Sequence, residues 1–401
     1  MQTRLTNAYQ QTPEGKEAEA ILRNCVHCGF CTATCPTYQL LGDELDGPRG
    51  RIYLLKQVLE GQEVSAKTQK HLDRCLTCRA CETTCPSGVQ YGRLIDIGRN
   101  IVEQKVQRSV MDKLKRKLLR IVIPNTKLFS LLLSVGRIFK PLMPAELADK
   151  IPQAQQTSPW PELQHERKML ILEGCVQPVT APDTNWATAQ VLDKLGIQLL
   201  RADKAGCCGA VSHHLSAHEE GLNAMRRNID AWWPYIEQGV EAIVLTASGC
   251  GVMVKDYGKL LANDTTYAEK AKKVSAISKD ISEILQDEDL SKLNISVKSQ
   301  RVAFHSSCTL QHGQKITGVV EKILGNAGYQ LTSVSDQHLC CGSAGTYSIL
   351  QEDLSQQLLQ NKLNALQADT PEIIVTANIG CQMHMAPKTS VPVKHWIELL
   401  A

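Results

Sequence analysis

The chain has 401 residues, enough for two or three domains, each with a core of ordinary size. Its hydrophobic content of 43% is that of a folded protein, and a formal net charge of +3 gives no support for nucleic-acid binding. No apolar run approaches the ~18 residues of a membrane span, and the first twenty residues lack the apolar stretch of a signal peptide, so we expect a cytoplasmic protein. Since cytoplasmic thiols are kept reduced, the sixteen cysteines indicate metal ligation or redox chemistry rather than disulfides.

Two cysteine runs of identical spacing lie in the N-terminal region. Each run is closed by a proline: Cys25, Cys28, Cys31, Cys35 and Pro36, then Cys75, Cys78, Cys81, Cys85 and Pro86. This spacing is typical of proteins with two [4Fe–4S] clusters, in which the fourth cysteine of each run ligates the other cluster. We therefore predict one cluster on Cys25, Cys28, Cys31 and Cys85, and a second on Cys75, Cys78, Cys81 and Cys35. Zinc is the alternative, but it would leave four of the eight cysteines unexplained.

The segment between the two runs predicts a helix over residues 51–61. Its apolar residues recur at helical spacing, and Gly61 is a plausible C-terminal stop. Pro48-Arg49-Gly50 predicts a turn into this helix. We therefore expect residues 1–105 to form a mainly α-helical domain of the two-cluster ferredoxin type.

Residues 106–166 contain no cysteine and many cations. Between Lys105 and Lys140 there are ten Lys or Arg residues and one acid, Asp112, with leucine, isoleucine and valine interleaved. We predict a basic helical linker. Its apolar side either packs on a partner subunit or lies on an anionic membrane surface.

Residues 167–401 contain an internal repeat. Cys175 is followed 32 residues later by Cys207-Cys208-Gly209, and then by Cys250. Cys308 is followed, again 32 residues later, by Cys340-Cys341-Gly342, and then by Cys381. We interpret these as two copies of one unit, residues 167–290 and 291–401.

Each copy alternates strand-like and helix-like stretches. Short β-branched runs predict buried parallel strands at residues 197–200, 242–246 and 372–376, and polar stretches predict helices at 219–233 and 353–368. The cysteines fall where strands end, the usual place for a site in such sheets, so those of one copy could converge. The predicted fold class is a multidomain α+β protein, with a helical N-terminal domain and tandem α/β repeats.

The double cysteine followed by glycine resembles the CCG, or cysteine-rich, domain of heterodisulfide-reductase-type subunits. The full pattern of that family ends each unit with a fifth cysteine, where this chain has Met253 and His384. Four thiols per copy still suffice for an ordinary cluster, with His384 as a possible extra ligand. The copies therefore hold one or two further iron–sulfur centres, or redox thiols, or buried cysteines that pack as small hydrophobes. Five histidines near these motifs are more often structural than functional: His213, His214, His305, His312 and His338.

Residues 25–38, 42–53, 75–86, 205–210 and 375–381 closely resemble the iron–sulfur subunit of bacterial glycolate oxidase, also called glycolate dehydrogenase. The resemblance implies flavin-bearing partner subunits that oxidise glycolate to glyoxylate, with the oxidation of D-lactate to pyruvate as a candidate second reaction. This chain would pass their electrons to a quinone or another membrane acceptor, from a peripheral position on the cytoplasmic face of the inner membrane. The sequence has no dinucleotide fingerprint, so we expect no flavin on this chain and no catalytic residue. Two alternatives stay open: the iron–sulfur subunit of a glycerol 3-phosphate or lactate dehydrogenase, and a heterodisulfide-reductase-like thiol/disulfide enzyme.

Overall fold

The computed structural model describes residues 1–143, 151–153, 158–295 and 299–401. Residues 144–150 and 154–157 of the predicted linker, and 296–298 of the predicted second copy, lie outside the described residues. The chain divides into two compact units, one formed by residues 1–116 and 336–362, the other by 117–335 and 363–401. The boundaries of the four domains expected from sequence remain predictions.

The first unit is helical. Its α-helices are Asn7–Gln10, Pro13–Asn24, Phe30–Ala33, Pro36–Leu41, Pro48–Leu59, Ala66–Asp73, Ala80–Thr83, Tyr91–Lys105 and Tyr347–Leu350, with a 3₁₀ turn at Glu44–Asp46. Pro48–Leu59 confirms the helix predicted between the cysteine runs, but the prediction of a turn at Pro48-Arg49-Gly50 was wrong, because these residues form the first turn of the helix. It starts at a proline, which suits a first helical position, and Gly61 follows with a positive φ of 88°. Its apolar face packs against the buried residues of Tyr91–Lys105, so these two helices form the centre of the core.

The second unit contains two four-stranded parallel sheets. The strands are β1 (Arg167–Leu172), β2 (Ile197–Arg201), β3 (Ile243–Leu245), β4 (Ser278–Asp280), β5 (Arg301–His305), β6 (Gln330–Leu331), β7 (Ile373–Thr376) and β8 (Val393–His395). The strand orders are β2-β1-β3-β4 and β6-β5-β7-β8. Because both sheets have the same order and direction, the predicted repeat is confirmed. Strands β4 and β8 were not predicted, since their sequences lack an apolar run.

Helices flank these strands. Apart from the two helices of the basic segment, the described helices with residues in the second unit are Gln177–Thr180, Pro182–Lys194, Ala210–His214, His218–Glu237, Ser248–Lys255, Tyr257–Leu260, Ala268–Ile277, Ile281–Leu285, Val319–Asn326, Glu352–Gln367 and Ile379–Met385. A π-helical turn covers Thr309–Gly313, and 3₁₀ turns cover Lys140–Leu142, Leu290–Leu293, Ala386–Lys388 and Trp396–Leu399. His218–Glu237 and Glu352–Gln367 confirm the two polar helices predicted from sequence.

The loops that follow β3, β5 and β7 meet within the second unit. The Ser248 N–H donates to the Ala377 carbonyl at 3.0 Å, and the Ser248 and Ser307 hydroxyl oxygens lie 2.8 Å apart. The buried His395 ring contacts the Thr246 carbonyl at 2.9 Å. These bonds hold the strand ends that precede Cys250 and Cys381 against each other.

The basic segment forms two helices, Val110–Val122 and Thr126–Phe139. Neither contains a fully buried residue, and Met111, Leu118, Leu131 and Ile138 are 51–73% exposed. Among the described residues no single helix is long and apolar enough to cross a membrane. Only the pair Val110–Val122 and Thr126–Leu142 meets that test together, with a bend of 106° between them.

Candidate metal centres

The two N-terminal cysteine runs fold into the same loop. His27 and Gly29 have positive φ angles of 59° and 86°, and Thr77 and Arg79, at the matching positions, have 54° and 61°. Each second left-handed residue starts a short helix, Phe30–Ala33 or Ala80–Thr83, that carries the third cysteine. A glycine eases this conformation, but Arg79 adopts it without one. The repeated spacing therefore produces a repeated backbone that turns three thiols to one side.

The first thiol set lines a cavity. Cys25, Cys28, Cys31 and Cys85 line a cavity of about 430 Å³ that is partly open to solvent. Cys81 of the second run also lines it, as do the apolar side chains of Val26, Phe30, Ile52 and Val89. Burial, and then the nearby thiols of Cys25, Cys28 and Cys85, raise the pKa of Cys31 to about 11. The fourth cysteine of the second run thus lies with the first three cysteines of the first run.

The second thiol set combines the first three cysteines of the second run with the fourth cysteine of the first run. Burial raises the pKa of Cys81 well above its usual range, and the neighbouring thiols of Cys78, Cys75 and Cys35 raise it further. Cys35, Cys75 and Cys81 are each no more than 8% exposed. Because iron binds thiolates, these raised pKa values mean that loading the sites releases protons.

The spacing of the thiols favours a cluster over a single metal ion. Tetrahedral zinc, with Zn–S bonds of about 2.3 Å, holds its sulfurs only about 3.8 Å apart. Among the described residues, no three of these eight sulfurs lie within 4.8 Å of one another. A four-iron cube needs four thiolates around a larger centre, and four thiols at each site fit that need.

The four cysteines of the first repeat also converge. Cys175, Cys207 and Cys250 follow β1, β2 and β3, three adjacent parallel strands, as predicted for a site at strand ends. Hydrogen bonds from Cys175 and then from Cys208 lower the pKa of the buried Cys207 thiol. The bonds from Cys208 to Cys207 and to Cys250 raise the pKa of Cys208. Hydrogen bonds therefore link the four thiols in the order Cys175, Cys207, Cys208 and Cys250.

Two fully buried polar side chains fix the double cysteine. Asn228 donates from Nδ2 to the Cys207 carbonyl at 3.0 Å and accepts from the Gly206 N–H at 2.9 Å. The Tyr257 hydroxyl donates to the Cys208 carbonyl at 2.8 Å. Sequence reasoning missed both residues, and a polar residue on the apolar face of helix His218–Glu237 was the available signal for Asn228.

The glycine of this motif has a steric role. Gly209 has φ +92°, and a Cβ added there would lie 2.8 Å from the Gly221 carbonyl oxygen. We expect Gly209→Ala to lower the free energy of unfolding by about 2–4 kcal/mol, from left-handed strain plus the clash. Gly239→Ala is the matched control, because it has φ +89° but no atom within 4 Å of the added Cβ, and should lose only about 1–2 kcal/mol. Urea unfolding, followed by fluorescence, checks this difference; equal losses would contradict the role of the close contact.

The cysteines of the second repeat are all buried: Cys308, Cys340, Cys341 and Cys381. Cys308 and Cys381 belong to the second unit, where the Asn378 amide donates to the Cys381 sulfur at 3.4 Å. A ring nitrogen of His305 lies within 4.8 Å of that sulfur. Cys340 and Cys341 lie in the segment 336–362 of the first unit, where the Gly342 N–H donates to the Cys340 sulfur at 3.4 Å.

Met253 and His384, at the two positions where the family has a fifth cysteine, differ in their burial. Met253 is 4% exposed and packs in the apolar core of the first repeat. His384 is half buried, one helical turn after Cys381. Of the other histidines, His213 is buried and stacks on His218 at 4.4 Å, His312 is buried, and His214 and His338 are half buried.

A buried charge cluster beside the second thiol set was also missed. Asp46 is fully buried and bonds to Arg74 at 2.6 Å, to His71 at 3.0 Å and to Arg51 at 3.5 Å. Arg51 is itself only 1% exposed. The sequence around Arg51 predicted only a turn into a helix. The available signal for the charge cluster was an arginine on the apolar face of that helix.

Comparison with known proteins assigns both halves of the chain. Residues 21–89 match the 4Fe-4S dicluster domain, and residues 169–255 and 302–386 each match the cysteine-rich domain. The predicted fold class is confirmed, and iron–sulfur clusters are the cofactors of the N-terminal unit. The thiol geometry fits that assignment.

Three curated relatives are informative. A "Probable glycolate oxidase iron-sulfur subunit" of Bacillus subtilis (strain 168) is 29% identical over 92% of this chain and 89% of its own length. "Lactate utilization protein A" of Bacillus licheniformis is 23% identical over 58% of this chain and 98% of its own length. The "Glycolate oxidase iron-sulfur subunit" of Escherichia coli (strain K12) is 58% identical over 100% of this chain and 98% of its own length. With two thiol sets at one end and the cysteine repeat at the other, the chain belongs to the family of glycolate oxidase iron–sulfur subunits.

Proposed function

We propose that this chain carries electrons, one at a time, from a flavin on a partner subunit to a membrane acceptor such as a quinone. Oxidation of glycolate to glyoxylate yields two electrons and two protons, and the reduction of a quinone to a quinol consumes the same number. A bound [4Fe–4S] cluster takes up and gives back single electrons. The observation that carries the proposal is the pair of four-thiol sites in the first unit.

Residues of this chain bind the two clusters and limit their contact with water. We assign Cys25, Cys28, Cys31 and Cys85 to one cluster, and Cys75, Cys78, Cys81 and Cys35 to the other. Apolar side chains around the first site, including Phe30 and Ile52, limit its contact with water. No residue of this chain is assigned to the chemistry on glycolate.

The assembled complex tests this proposal. The chain is co-purified with its partner subunits from native cells, and reduction of a quinone analogue is followed with glycolate, D-lactate and glycerol 3-phosphate. Glycolate-dependent reduction that requires this chain supports the proposal. Reduction with lactate or glycerol 3-phosphate alone would favour a different dehydrogenase, and reduction of a disulfide by the isolated chain would favour a thiol/disulfide enzyme.

The four thiols of the first repeat support a further iron–sulfur centre. Their serial contacts place sulfur ligands from three strand ends together, and Cys207 already has a lowered pKa. A purified chain with about twelve irons supports one further cluster, whereas about eight irons restricts the clusters to the first unit.

The two basic helices support a peripheral position on the cytoplasmic face of the membrane. Lys113, Lys115, Lys117 and Lys127 are exposed, and apolar side chains are exposed on the same two helices. Cations near an anionic bilayer contribute about 1 kcal/mol each, and the apolar residues add insertion into its surface.

We therefore expect the chain to co-sediment with phosphatidylglycerol-containing vesicles and to bind neutral vesicles at least about tenfold more weakly. The double variant Leu118→Glu and Ile121→Glu, at positions 51% and 48% exposed, should lose this binding without unfolding. Leu163→Glu, at a position 63% exposed outside the helices, is the matched control and should still bind. Unchanged binding of the double variant would point to a partner subunit as the occupant of these helices.

A further inference from the structure

Two thiols of the second set have polar neighbours in the chain, and one of them, Cys75, accepts hydrogen bonds. The Cys75 sulfur accepts from the Thr77 N–H at 3.3 Å and from the Tyr91 hydroxyl at 3.6 Å. The Cys35 sulfur lies 3.3 Å from the Thr37 hydroxyl. Tyr91 is 3% exposed and also lines the first cavity, but its hydroxyl contacts the Cys75 sulfur, where bulk water does not compete.

A buried cation lies behind these groups. Arg51 donates to the Thr37 hydroxyl at 3.2 Å and to the His71 carbonyl at 2.7 Å. Burial by itself lowers the pKa of Arg51, but the ionised forms of Tyr91, Cys75, Cys35 and Asp46 more than reverse this and raise it above its usual range.

The charge of Arg51 is not cancelled locally. Among the described residues, the one carboxylate that contacts it is Asp46, which is shared with Arg74 at the shorter distance of 2.6 Å. Two guanidinium groups on one carboxylate leave a net positive charge beside the second thiol set.

The first set has a different environment. One nearby cation, the N-terminal ammonium, donates to the Cys25 carbonyl at 2.7 Å, and another, Arg49, has a side chain that is 37% exposed and is paired with Glu44 at 2.6 Å. Water and the carboxylate therefore screen the charge of Arg49. Cys28 is exposed as well, so solvent can stabilise added charge at the first site.

Reduction of a cluster adds one negative charge to its site. In a buried site this charge is costly unless donors or cations of the protein face it, and such groups are known to set cluster potentials. We propose that Arg51 and Tyr91 raise the reduction potential of the cluster held by Cys35, Cys75, Cys78 and Cys81, an inference that rests on the proposed ligand assignment. They are tuning residues of the electron path and take no part in chemistry on the substrate.

The test is an EPR-monitored redox titration of the full chain with its clusters. Loss of one hydrogen bond to a charged sulfur changes an equilibrium about tenfold, which for a one-electron couple is about 59 mV. We expect Tyr91→Phe to lower one of the two midpoint potentials by about that amount and to leave the other nearly unchanged. Tyr53→Phe, at a position 45% exposed in the same unit, is the matched control and should shift neither.

The charge of Arg51 is tested by two further variants. Arg51→Gln should lower the same midpoint potential by more than Tyr91→Phe does, and Arg51→Lys, which keeps the charge, should recover part of the shift. The Tyr91→Phe shift should persist when Cys28→Ser has removed the other cluster, which identifies the cluster that responds.

Iron and sulfide are counted for every variant, so that two failures can be told apart. If Tyr91→Phe holds wild-type iron and both potentials are unchanged, the tuning role is overturned and the ligand assignment stands. If the Tyr91→Phe shift disappears in the Cys28→Ser background, the responding cluster is the one that Cys28 ligates, and the tuning role assigned to the second cluster is overturned.

Discussion

Cys28→Ser is expected to remove one of the two clusters and to stop electron transfer from glycolate to the acceptor, while substrate still reduces the flavin of the partner subunit. Cys28 belongs to the thiol set that lines the first cavity, and a serine hydroxyl is a poor ligand for iron. The chain should therefore lose about four irons and the corresponding EPR signal. Stopped-flow absorbance of the flavin and steady-state dye reduction measure the two halves of the reaction separately.

The control for this experiment is Val26→Ala, because Val26 lines the same cavity and is 66% exposed. It should keep wild-type iron content and turnover. If Cys28→Ser also abolished flavin reduction in a complex that still assembles, this chain would do more than carry electrons.

Local sequence was a good guide where a few neighbouring residues determine the structure. The cysteine runs specify their own loop, because positive φ angles recur two and four residues after each first cysteine. The strand at residues 242–246 was predictable because its apolar run is buried on both sides in a parallel sheet, where it pairs with β1 and β4.

Sequence was a poor guide where distant parts of the chain decide the role of a residue. In the sequence, Asn228 looks like an ordinary polar residue of a helix. In the structure its side chain is fully buried and donates a hydrogen bond to the backbone carbonyl of Cys207, 21 residues earlier. Arg51 lies on the apolar face of its helix because His71, Thr37 and Asp46 converge on it from other segments. Strand β4 has the polar sequence Ser-Lys-Asp and forms through pairing with β3.

Variants that lack two cysteines should show whether the fourth cysteine of each run ligates the cluster of the other run, the exchanged pattern, or the cluster of its own run. The thiols that neighbour Cys31 are Cys25, Cys28 and Cys85, so the fourth ligand of the first cluster comes from the second run. Cys28→Ser with Cys85→Ser should then lose about four irons, no more than Cys28→Ser alone. Cys28→Ser with Cys35→Ser should lose about eight irons, because it removes one ligand from each cluster.

The opposite pattern follows if each run binds its own cluster. Cys28 and Cys35 would then be ligands of one cluster, and their double variant would lose about four irons, while the variant at Cys28 and Cys85 would lose about eight. Both double variants contain two cysteine-to-serine changes in the same unit, so each serves as the matched control of the other for folding. Because the neighbours of Cys81 are Cys78, Cys75 and Cys35, we expect the exchanged pattern, with Cys35→Ser alone removing the cluster that Cys28→Ser leaves in place.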